Sequence, residues 1–439
     1  MKIAVAGTGY VGLVTGVCLA AHGHEVTCVD VDEAKIELMR SGVSPIYEEG
    51  LSELMTENME RLTFTTDYKS AYEDAAVIFV GVGTPEKRDG SANLKYVYAV
   101  AEQIADSVKN ECVVVIKSTV PIGTNDRIEA FLKERLGGRL PIHVASNPEF
   151  LAQGTAVRDT MHASRIVIGT EDKFSEDRLR EVYAGFDAPL LATNRRSAEM
   201  IKYASNDFLA LKISYINEIA NLCEIIGADI EDVTKGMSYD TRIGSKFLNA
   251  GIGYGGSCFP KDTKALSWLA TFNDREIKTI KAAIEVNESQ KLRPIRKAKQ
   301  YYPDFRDLKV AVLGLTFKPG TDDLREAPSL VTIPVILEDG ARIYAWDPVG
   351  EENFRRRIPD GIEYCETPEE TLKDADICFI FTEWPGVKAI KAQTFVDLMK
   401  RPIIIDGRNC FPKGYFDGLN VLYDSIGRAV VDTLGEKNV

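Results

Sequence analysis

Histidine is scarce in this 439-residue chain, occurring only at His22, His24, His143 and His162 and never after residue 162. A Cys–His hydrolase or a histidine-rich metal site would therefore have to recruit its histidines from the first part of the chain. No apolar run reaches the roughly 18 residues that a membrane-spanning helix needs. The first residues are typical of a β-strand rather than of a signal peptide. We therefore expect no metal site and no membrane span.

Cysteine pairs of the C-x-x-C type and long basic runs are also missing. The eight cysteines are scattered, and the chain is too long to need disulfide staples, so free thiols in a reducing cytoplasm are expected. A net charge of −13 argues against nucleic acid or an anionic membrane as a partner. The composition, 45% hydrophobic and 27% charged, indicates a globular protein of several domains.

The first 30 residues carry a dinucleotide fingerprint in its required context. An apolar run at 2–6 leads into Gly7-Thr-Gly-Tyr-Val-Gly12, a helical pattern follows, and a second apolar run ends at Asp30. The glycines allow a tight turn and close approach of a pyrophosphate, and the acid can accept from ribose hydroxyls. Asp30 would repel a 2′-phosphate and so favours NAD over NADP, although Lys35 keeps NADP open.

Further apolar runs alternate with helical patterns and predict a parallel sheet that is covered on both faces. The predicted strands lie near 77–82, 112–117, 142–145, 165–169 and 189–192. Three loops follow such strands, at 83–85, 118–121 and 146–150. Each loop alone is compatible with ordinary turn chemistry. Their shared position at the carboxyl ends of strands favours contacts with a cofactor and a substrate.

The middle of the chain combines a long helix with a glycine-rich segment. Residues 197–227 predict one helix, because no Gly or Pro occurs before Gly227, and such a helix suits a connector and a dimer surface. The segment 251–262 carries Cys258 close to Lys261 and Asp262. A thiol beside a cation can be held as the nucleophilic thiolate. The segment alone is equally compatible with a turn around an inert, buried cysteine.

A second α/β pattern follows a boundary near 301–308, with strands expected near 309–314, 341–346, 376–381 and 402–406. Its first loop lacks G-x-G-x-x-G, so this sheet is expected to bind a different ligand. The predicted division is a dinucleotide-binding domain at 1–196, a helical dimerisation and catalytic segment at 197–300, and a second α/β domain at 301–439. The tail, 435–439, is expected to be loose.

With these pieces in order, the chain resembles the UDP-glucose/GDP-mannose dehydrogenase family along nearly its whole length. The motifs that carry this resemblance are GTGYVG at 7–12, STVPIG at 118–123, NPEFL at 147–151, EMIKY at 199–203, GGSCFPKD at 255–262, GLTFKP at 314–319 and DGRN at 406–409. The resemblance implies an α/β fold of two Rossmann-like doubly wound parallel-sheet domains, joined by a long central helix and a helical middle segment. It also implies an NAD-dependent oxidoreductase that converts the C6 alcohol of UDP-glucose to the carboxylate of UDP-glucuronate.

The resemblance assigns the catalytic roles as well. Lys202 and Asn206 stabilise the alkoxide that develops at C6, and Cys258 attacks the aldehyde to give a thiohemiacetal and then a thioester. Thioester hydrolysis falls to Glu149 as acid/base, with Asp262 as an orienting partner. Thr119 is the remaining implied catalytic residue.

The implied ligand contacts follow from the same motifs. For NAD they are Gly7, Gly9, Tyr10, Val11, Gly12, Asp30, Lys35, Thr84, Thr119, Gln153, Lys261 and Arg325. For the UDP-sugar they are Glu149, Leu151, Lys202, Asn206, Asn249, Ala250, Gly251, Ile252, Gly253, Gly255, Lys318 and Arg408, with Arg242 contributed by the second subunit of a homodimer. At Gln153 the family usually has an acid. Because glutamine cannot act as a base, the acid/base role rests on Glu149.

Several alternatives stay open from the sequence. The same chemistry could act on UDP-N-acetylmannosamine, UDP-galactose or GDP-mannose, because small pocket changes separate such substrates. A two-electron dehydrogenase of the 6-phosphogluconate type would explain the N-terminal half but leaves Cys258 and the second α/β domain without a role. A non-catalytic nucleotide sensor would bind NAD without turnover.

Overall fold

The computed structural model describes residues 1–435, so the predicted loose tail lies outside the described residues except for Gly435. The chain forms two compact units. Unit 1 comprises Met1–Ser205 and Lys264–Asp274, and unit 2 comprises Asn206–Thr263 and Arg275–Val439. The three-part division by sequence stays a prediction, and its central segment, 197–300, is shared between the two units.

Unit 1 contains the first eight strands and the first eight helices. The strands are β1 Lys2–Ala6, β2 Glu25–Val29, β3 Leu62–Thr65, β4 Val77–Val80, β5 Cys112–Ile116, β6 Ile142–Ser146, β7 Ile166–Gly169 and β8 Leu190–Thr193. The helices are α1 Tyr10–Ala21, α2 Glu33–Arg40, α3 Leu51–Glu57, α4 Tyr68–Glu73, α5 Lys95–Ser107, α6 Thr124–Leu136, α7 Ala156–Met161 and α8 Lys173–Val182, with a 3-10 turn at Met59–Arg61.

The unit 1 sheet has the order β3-β2-β1-β4-β5-β6-β7-β8 and is parallel except where β6 meets β7. Alternate residues of each strand enter opposite cores. Ile3 and Val5 pack on one face, while Ala4 and Ala6 pack on the other. Both faces are therefore covered, which explains the unbroken apolar runs in the sequence. The strand order reverses between β1 and β4, the place where such sheets bind ligands.

Two helices, α9 (Arg195–Ile226) and α11 (Phe259–Phe272), have residues in both units, and the remaining helices and strands belong to unit 2. The helices are α9 Arg195–Ile226, α10 Ile230–Ser238, α11 Phe259–Phe272, α12 Lys278–Lys291, α13 Arg293–Ala298, α14 Ser329–Glu338, α15 Glu351–Arg355, α16 Pro368–Leu372, α17 Pro385–Lys388 and α18 Ala392–Leu398. The strands are β9 Lys309–Leu313, β10 Arg342–Trp346, β11 Ile362–Tyr364, β12 Ile377–Ile380, β13 Ile403–Asp406, β14 Leu422–Ser425 and β15 Val431–Asp432.

The unit 2 sheet has the order β11-β10-β9-β12-β13-β14-β15, and only its last pair, β14 and β15, is antiparallel. Apolar clusters again cover both faces, with Val310 and Val312 on one side and Ala311 and Leu313 on the other. The predicted class, two Rossmann-like doubly wound sheets with a long central helix, is confirmed. Among residues 1–435, no helix combines the length and apolarity needed to cross a membrane.

Helix α11 begins inside the glycine-rich segment 251–262, at Phe259, because Pro260 is tolerated in the first turn of a helix. It ends near Asp274, which adopts a left-handed conformation with φ +52 before α12 begins at Lys278. Aspartate is one of the few non-glycine residues that visit this conformation readily.

Candidate active site

The loop between β1 and α1 is shaped for a phosphate group. Gly7 has φ +92, and a Cβ on Gly12 would collide with the Gly7 carbonyl. A Cβ on Gly9 would instead project into open space, so a side chain there would fill the room in front of the helix. Helix α1 begins directly afterwards at Tyr10, and its N-terminus favours negative charge. The local geometry therefore fits a dinucleotide pyrophosphate.

Asp30 follows β2 at the same edge of the sheet. Its Oδ2 accepts from the Thr8 amide at 2.9 Å and from the Thr8 hydroxyl at 2.6 Å. Burial raises the pKa of Asp30, but the hydrogen bonds from Thr8 and Asp32, together with the Lys35 charge, bring it below its ordinary value. The carboxylate is therefore ionised and half-exposed, as an acceptor for ribose hydroxyls must be.

A cavity of about 400 Å³ opens at this edge. Its lining includes Gly7, Thr8, Gly9, Asp30, Lys35, Gly81, Gly83, Tyr96 and Gln103. Several of the predicted cofactor positions thus line one cavity within unit 1. The cavity extends from the glycine turn past Asp30 to α5, so both phosphate and ribose contacts are available.

The loops that follow β4 and β5 are hydrogen-bonded to each other. The Thr84 hydroxyl donates to the Thr119 carbonyl at 2.8 Å, and the Ser118 hydroxyl donates to the Val82 carbonyl at 2.6 Å. The predicted cofactor positions Thr84 and Thr119 therefore lie on two loops that are hydrogen-bonded to each other.

Glu149 and Lys202 form a buried ion pair. Lys202 Nζ lies 2.7 Å from Glu149 Oε1, and the two residues are 3% and 6% exposed respectively. The other carboxylate oxygen, Oε2, accepts from the Leu151 amide at 2.8 Å. Two predicted catalytic residues are thus in direct contact within unit 1. Leu151 itself is half-buried and packs against the core.

Asn147 fixes the start of the loop that carries Glu149. Its Oδ1 accepts from Lys117 Nζ at 2.9 Å and from the Tyr183 hydroxyl, and its Nδ2 donates to the Val167 carbonyl at 2.8 Å. Burial lowers the pKa of Lys117 to about 8, against the opposing influence of the Glu149 charge. Sequence reasoning missed Lys117, because it reads as the last residue of an apolar strand.

Glu48 and Glu199 were also missed, and both hold loops of the site. Glu48 accepts from the Gly154 and Ala156 amides at 2.7 and 2.6 Å, which anchors the turn containing Gln153. Glu199 accepts from the Gly123 and Asn125 amides at 2.5 and 2.9 Å. Glu199 lies in the family motif at 199–203, but nothing in the sequence identifies its hydrogen-bond partners.

The glycines of the cysteine segment are needed for packing against protein. Gly253 has φ +89, and a Cβ there would lie 2.6 Å from Asn287 Oδ1. Gly256 has φ +84, and its Cβ would lie 2.8 Å from the Phe317 ring. The backbone at these two glycines therefore packs closely against neighbouring side chains of unit 2.

Three buried amide side chains bind the backbone of this segment. Asn217 accepts from the Gly251 amide, and Gln290 donates to the Gly251 carbonyl, both at 2.8 Å. Asn287 accepts from the Tyr254 amide at 2.8 Å and donates to the Tyr254 carbonyl at 3.1 Å. We call Asn217, Asn287 and Gln290 the amide clamp. It belongs to α9 and α12 and holds the segment rigid.

Cys258 is exposed and stands immediately before α11. The Asp262 amide donates to its carbonyl at 2.8 Å, so Cys258 occupies the N-cap position. A helix N-terminus stabilises a negatively charged thiolate. The burial that the alternative of an inert, buried cysteine assumed is therefore wrong for this position.

Asp262 is buried four residues after the cysteine. Its Oδ2 accepts from Asn206 Nδ2 at 2.7 Å, and its Oδ1 pairs with Lys261 Nζ. The predicted catalytic residues Asn206 and Asp262 are thus in contact within unit 2, while the predicted cofactor residue Lys261 is paired to the same carboxylate.

A second cavity, of about 280 Å³, lies in unit 2. Its lining includes five predicted substrate positions, Asn249, Ala250, Gly251, Gly253 and Arg408, together with Glu231, Thr234, Glu383, Lys388 and Asn409. The side chain of Ile252 does not line it, because it is fully buried in the hydrophobic core. Any contact of Ile252 with a ligand would therefore involve its backbone.

Arg408 lines the cavity and is hydrogen-bonded to three backbone carbonyls. Its guanidinium donates to the carbonyls of Phe381, Gly253 and Phe317 at 2.8, 3.1 and 3.0 Å. Because it holds the cysteine segment and the loop after β9 together, its contribution to ligand binding includes positioning. That loop also carries Lys318, which is half-buried.

Arg242 and Arg325 each form a local ion pair. Arg242 is 88% exposed at its side chain and lies 2.6 Å from Asp240. Arg325 is 53% exposed and lies 2.6 Å from Asp323. Both guanidinium groups retain a solvent-facing side.

The second sheet has an aspartate, Asp347, where the first has Asp30, but its environment differs. Asp347 is 3% exposed and accepts from the Leu315 amide at 2.7 Å and from Trp384 Nε1 at 3.0 Å. Its other oxygen accepts from the Gly350 amide at 2.7 Å. Protein donors surround this carboxylate, so it is not placed to accept from a ribose. This agrees with the prediction that the second sheet binds a different ligand from the first.

Comparison with known proteins covers the whole architecture. Residues 1–187, 196–289 and 311–413 match the NAD binding, central and UDP binding domains of the UDP-glucose/GDP-mannose dehydrogenase family. The UDP-glucose 6-dehydrogenase YwqF of Bacillus subtilis (strain 168) is 50% identical over 433 residues, which cover 98% of each chain.

Two solved structures are similar over nearly the full length. A UDP-glucose dehydrogenase from Pyrobaculum islandicum has a TM-score of 0.91 at 37% identity, covering 97% of this chain and 98% of its own. A UDP-D-ManNAc dehydrogenase from Pyrococcus horikoshii has a TM-score of 0.86 at 26% identity, covering 98% and 99%.

The fold and the dinucleotide cradle define an NAD-binding oxidoreductase with an exposed cysteine at a helix N-terminus. The chain belongs to the UDP-glucose/GDP-mannose dehydrogenase family. The predicted family and the predicted cofactor, NAD, are thereby confirmed.

Proposed function

We propose that this protein oxidises the C6 alcohol of UDP-glucose to the carboxylate of UDP-glucuronate, with Cys258 as the covalent nucleophile. The observation that carries the proposal is the exposed Cys258 at the N-terminus of α11, in a chain that also has an NAD cradle. The similarity to UDP-glucose 6-dehydrogenases over nearly the full length supports the choice of substrate. A two-electron dehydrogenase would leave this cysteine without a task.

In the first half of the reaction, the sugar alcohol becomes an aldehyde. NAD, when bound, supplies the acceptor for each hydride that leaves C6. Lys202, with its ammonium fixed by Glu149, stabilises the alkoxide that forms as the hydroxyl proton departs. Asn206 lies one helical turn further along α9 and adds an amide donor for the same oxygen.

In the second half, the Cys258 thiolate adds to the aldehyde carbon, and the carbonyl oxygen takes a proton to give a thiohemiacetal. Loss of a second hydride and of the hydroxyl proton leaves a thioester. Water then attacks the thioester carbon, the C–S bond breaks, and the sulfur departs as thiolate. Glu149 accepts the proton of the attacking water, while Asp262 orients donors around it. Thr119, on the loop after β5, is the remaining residue that we assign to catalysis.

The remaining positions bind the two nucleotides. We assign Gly7, Gly9, Tyr10, Val11, Gly12, Asp30, Lys35, Thr84, Thr119, Gln153, Lys261 and Arg325 to NAD. We assign Leu151, Asn249, Ala250, Gly251, Ile252, Gly253, Gly255, Lys318 and Arg408 to the UDP-sugar, with Arg242 reaching it from a second subunit. The match of residues 311–413 to a UDP binding domain supports a UDP-sugar in general.

A homodimer is the assembly we propose. Helix α9 exposes Phe208, Tyr215 and Leu222, which are 61%, 50% and 49% exposed and recur every seven residues. Ile225 and Ile226 continue the surface at 80% and 65% exposure. An apolar stripe of this size on one helix favours contact with another apolar surface, such as the same stripe of a second copy. The cytoplasm is the proposed compartment, since none of the eight cysteines is in a disulfide.

The decisive experiment counts the NADH formed per UDP-glucose consumed, in the wild type and in Cys258→Ser. Two NADH per sugar are expected in the wild type, because each NAD accepts only two of the four electrons removed. The serine variant should lose steady-state turnover by several orders of magnitude, since its hydroxyl is a far weaker nucleophile. Cys365→Ser, a half-buried thiol outside the proposed machinery, is the matched control.

The possible results separate the alternatives. One NADH per sugar in the wild type would contradict the four-electron mechanism and support the two-electron dehydrogenase. Binding of NAD without any turnover would support the nucleotide sensor. Two NADH from UDP-N-acetylmannosamine, with none from UDP-glucose, would keep the chemistry and change only the substrate.

A further inference from the structure

Asp207 is a buried acid beside the proposed catalytic residues and has no role assigned so far. It lies on α9 directly after Asn206, is 2% exposed, and neither of its carboxyl oxygens has a hydrogen-bond partner. Leaving an ionised carboxylate buried without partners is strongly unfavourable. Such a group usually keeps its proton, and a buried acid without a structural bond calls for a functional explanation.

The charges around Asp207 come from α11. Asp262 is 1% exposed, is hydrogen-bonded to Asn206, and repels a negative charge on Asp207, whereas the Lys261 ammonium attracts it. Burial, followed by the Asp262 charge, raises the pKa of Asp207 to about 8, and Lys261 opposes this rise. Asp207 is therefore mostly protonated at neutral pH, while Asp262 keeps its two donors.

Tyr254, in the cysteine segment, is the other titratable group that interacts with Asp207. Burial raises the pKa of Tyr254 to about 12, with smaller contributions from Glu288 and Asp207, while bonds to Thr263 and Ser214 oppose the rise. Tyr254 therefore stays neutral over the range in which Asp207 titrates. The charge state around Asp207 thus depends on Asp207, Asp262 and Lys261.

We propose that Asp207 and Asp262 form a buried carboxyl pair that carries a single negative charge, with Asp207 holding the proton and acting as a positioning residue for Asp262. The neutral Asp207 leaves Asp262 as the only anionic acceptor for Asn206 and Lys261. Ionisation of Asp207 places a second negative charge beside Asp262, where it competes for the Lys261 ammonium. This competition disturbs the ion pair of Lys261 with Asp262 in the first turn of α11, directly after Cys258.

The first test measures thermal stability against pH in the wild type and in Asp207→Asn, whose side chain resembles the protonated acid. The pKa of Asp207 is higher in the folded protein than in the unfolded chain, so the folded protein binds more protons between pH ~4 and ~8. Ionisation of Asp207 therefore lowers the free energy of unfolding progressively across that range. The melting temperature of the variant relative to the wild type should therefore rise from pH ~4 to ~8 and level off above. Asp187→Asn, the same change at an exposed site, should give a difference that is flat across this range.

A difference for Asp207→Asn that does not depend on pH would overturn the pair. If this variant does not fold, Asp207→Ala serves the same comparison, because it is also uncharged and only the pH-dependent part of the difference is used. This test needs neither NAD nor a sugar nucleotide.

The second test concerns the positioning role and rests on the proposed function. In the wild type, the protonated fraction of Asp207 falls about tenfold between pH 7 and pH 9, and kcat for UDP-glucose should fall with it. In Asp207→Asn kcat should not fall in this way, so the ratio of kcat at pH 9 to kcat at pH 7 should be higher than in the wild type. A ratio equal to that of the wild type would refute the positioning role. Absence of activity on UDP-glucose in the wild type would count against the proposed function alone, because the stability test still decides the carboxyl pair.

Discussion

Two buried lysines of unit 1 surround one carboxylate. Lys202 pairs directly with Glu149, while Lys117 bonds to Asn147, two residues before Glu149, and feels the charges of both. A lone buried ammonium is costly, but Lys117 has an acceptor in Asn147 and a neighbouring negative charge. The same lysine therefore destabilises the fold electrostatically while it fixes the loop that bears the proposed acid/base.

The substitution Lys117→Met tests the electrostatic cost of burying the Lys117 ammonium, measured as the free energy of unfolding. Since burial lowers the folded-state pKa to about 8, the unfolded chain binds more protons between pH ~8 and ~10.5, and wild-type stability gains from rising pH there. The methionine variant lacks this gain. Its free energy of unfolding, relative to the wild type, should therefore decline above pH ~8 by at most about 1.4 kcal/mol per pH unit.

Urea unfolding from pH 7 to 10 measures that decline. Lys95→Met, at a surface position on α5, provides the control with the same change in side chain. A constant difference between Lys117→Met and the wild type would show that Lys117 titrates normally. In activity assays the same variant should lower kcat more than it raises KM, because it releases Asn147 and with it the Glu149 loop.

At the scale of elements, the sequence predicted the parts that follow from periodicity. Helix α9 was predicted at 197–227 and spans Arg195–Ile226, because the absence of Gly and Pro and the spacing of apolar residues are local signals. The dinucleotide turn was equally local. Strands β3, β11, β14 and β15 were missed because they are short, and sheet pairing defines them.

The candidate site was predictable only where a motif carried it. Cys258, Lys202 and Asp262 stood in recognisable motifs. The amide clamp did not, because Asn217, Asn287 and Gln290 are single polar residues on amphipathic helices and only the packing of α9 and α12 brings them to one backbone segment. Asp207 was missed for a similar reason, since a helical aspartate is usually a solvated surface residue.

The amide clamp yields a prediction about the cysteine segment. Asn287→Ala leaves the Tyr254 amide and carbonyl buried without their partner, so the free energy of unfolding should fall by roughly 1–3 kcal/mol. Asn273→Ala, at an exposed helix end, should change it by less than about 0.5 kcal/mol. Urea denaturation compares the two.

A functional measurement distinguishes loop positioning from stability alone. If the clamp positions the segment for the UDP-sugar, Asn287→Ala should raise KM for UDP-glucose while KM for NAD stays close to that of the wild type. A lower Vmax with unchanged KM values for both substrates would mean that the variant merely reduces the amount of folded enzyme.

At the scale of the whole molecule, two sheets of one architecture carry different chemistry. In unit 1 the aspartate after the second strand, Asp30, is partly exposed and faces a cavity. In unit 2 its counterpart, Asp347, is buried and accepts from protein donors, and five of the predicted substrate residues line a cavity of that unit. Repetition of the fold therefore does not repeat the site.

The net charge of −13 disfavours anionic partners, whereas the apolar stripe of α9 favours an apolar one. If the stripe joins two copies, the wild type should sediment with twice the mass of one chain. Leu222→Glu, placing a charge on the stripe, should convert it to monomers at micromolar concentration.

Val43→Glu, at a similarly exposed apolar residue in unit 1, should leave the dimer intact. The proposed contribution of Arg242 from the second subunit adds a further consequence. Dissociation by Leu222→Glu should weaken UDP-glucose binding and mimic Arg242→Ala, and mixing the two variants should restore part of the activity only if a heterodimer forms. A wild type that is monomeric yet fully active would refute both the stripe as an interface and Arg242 as a partner residue.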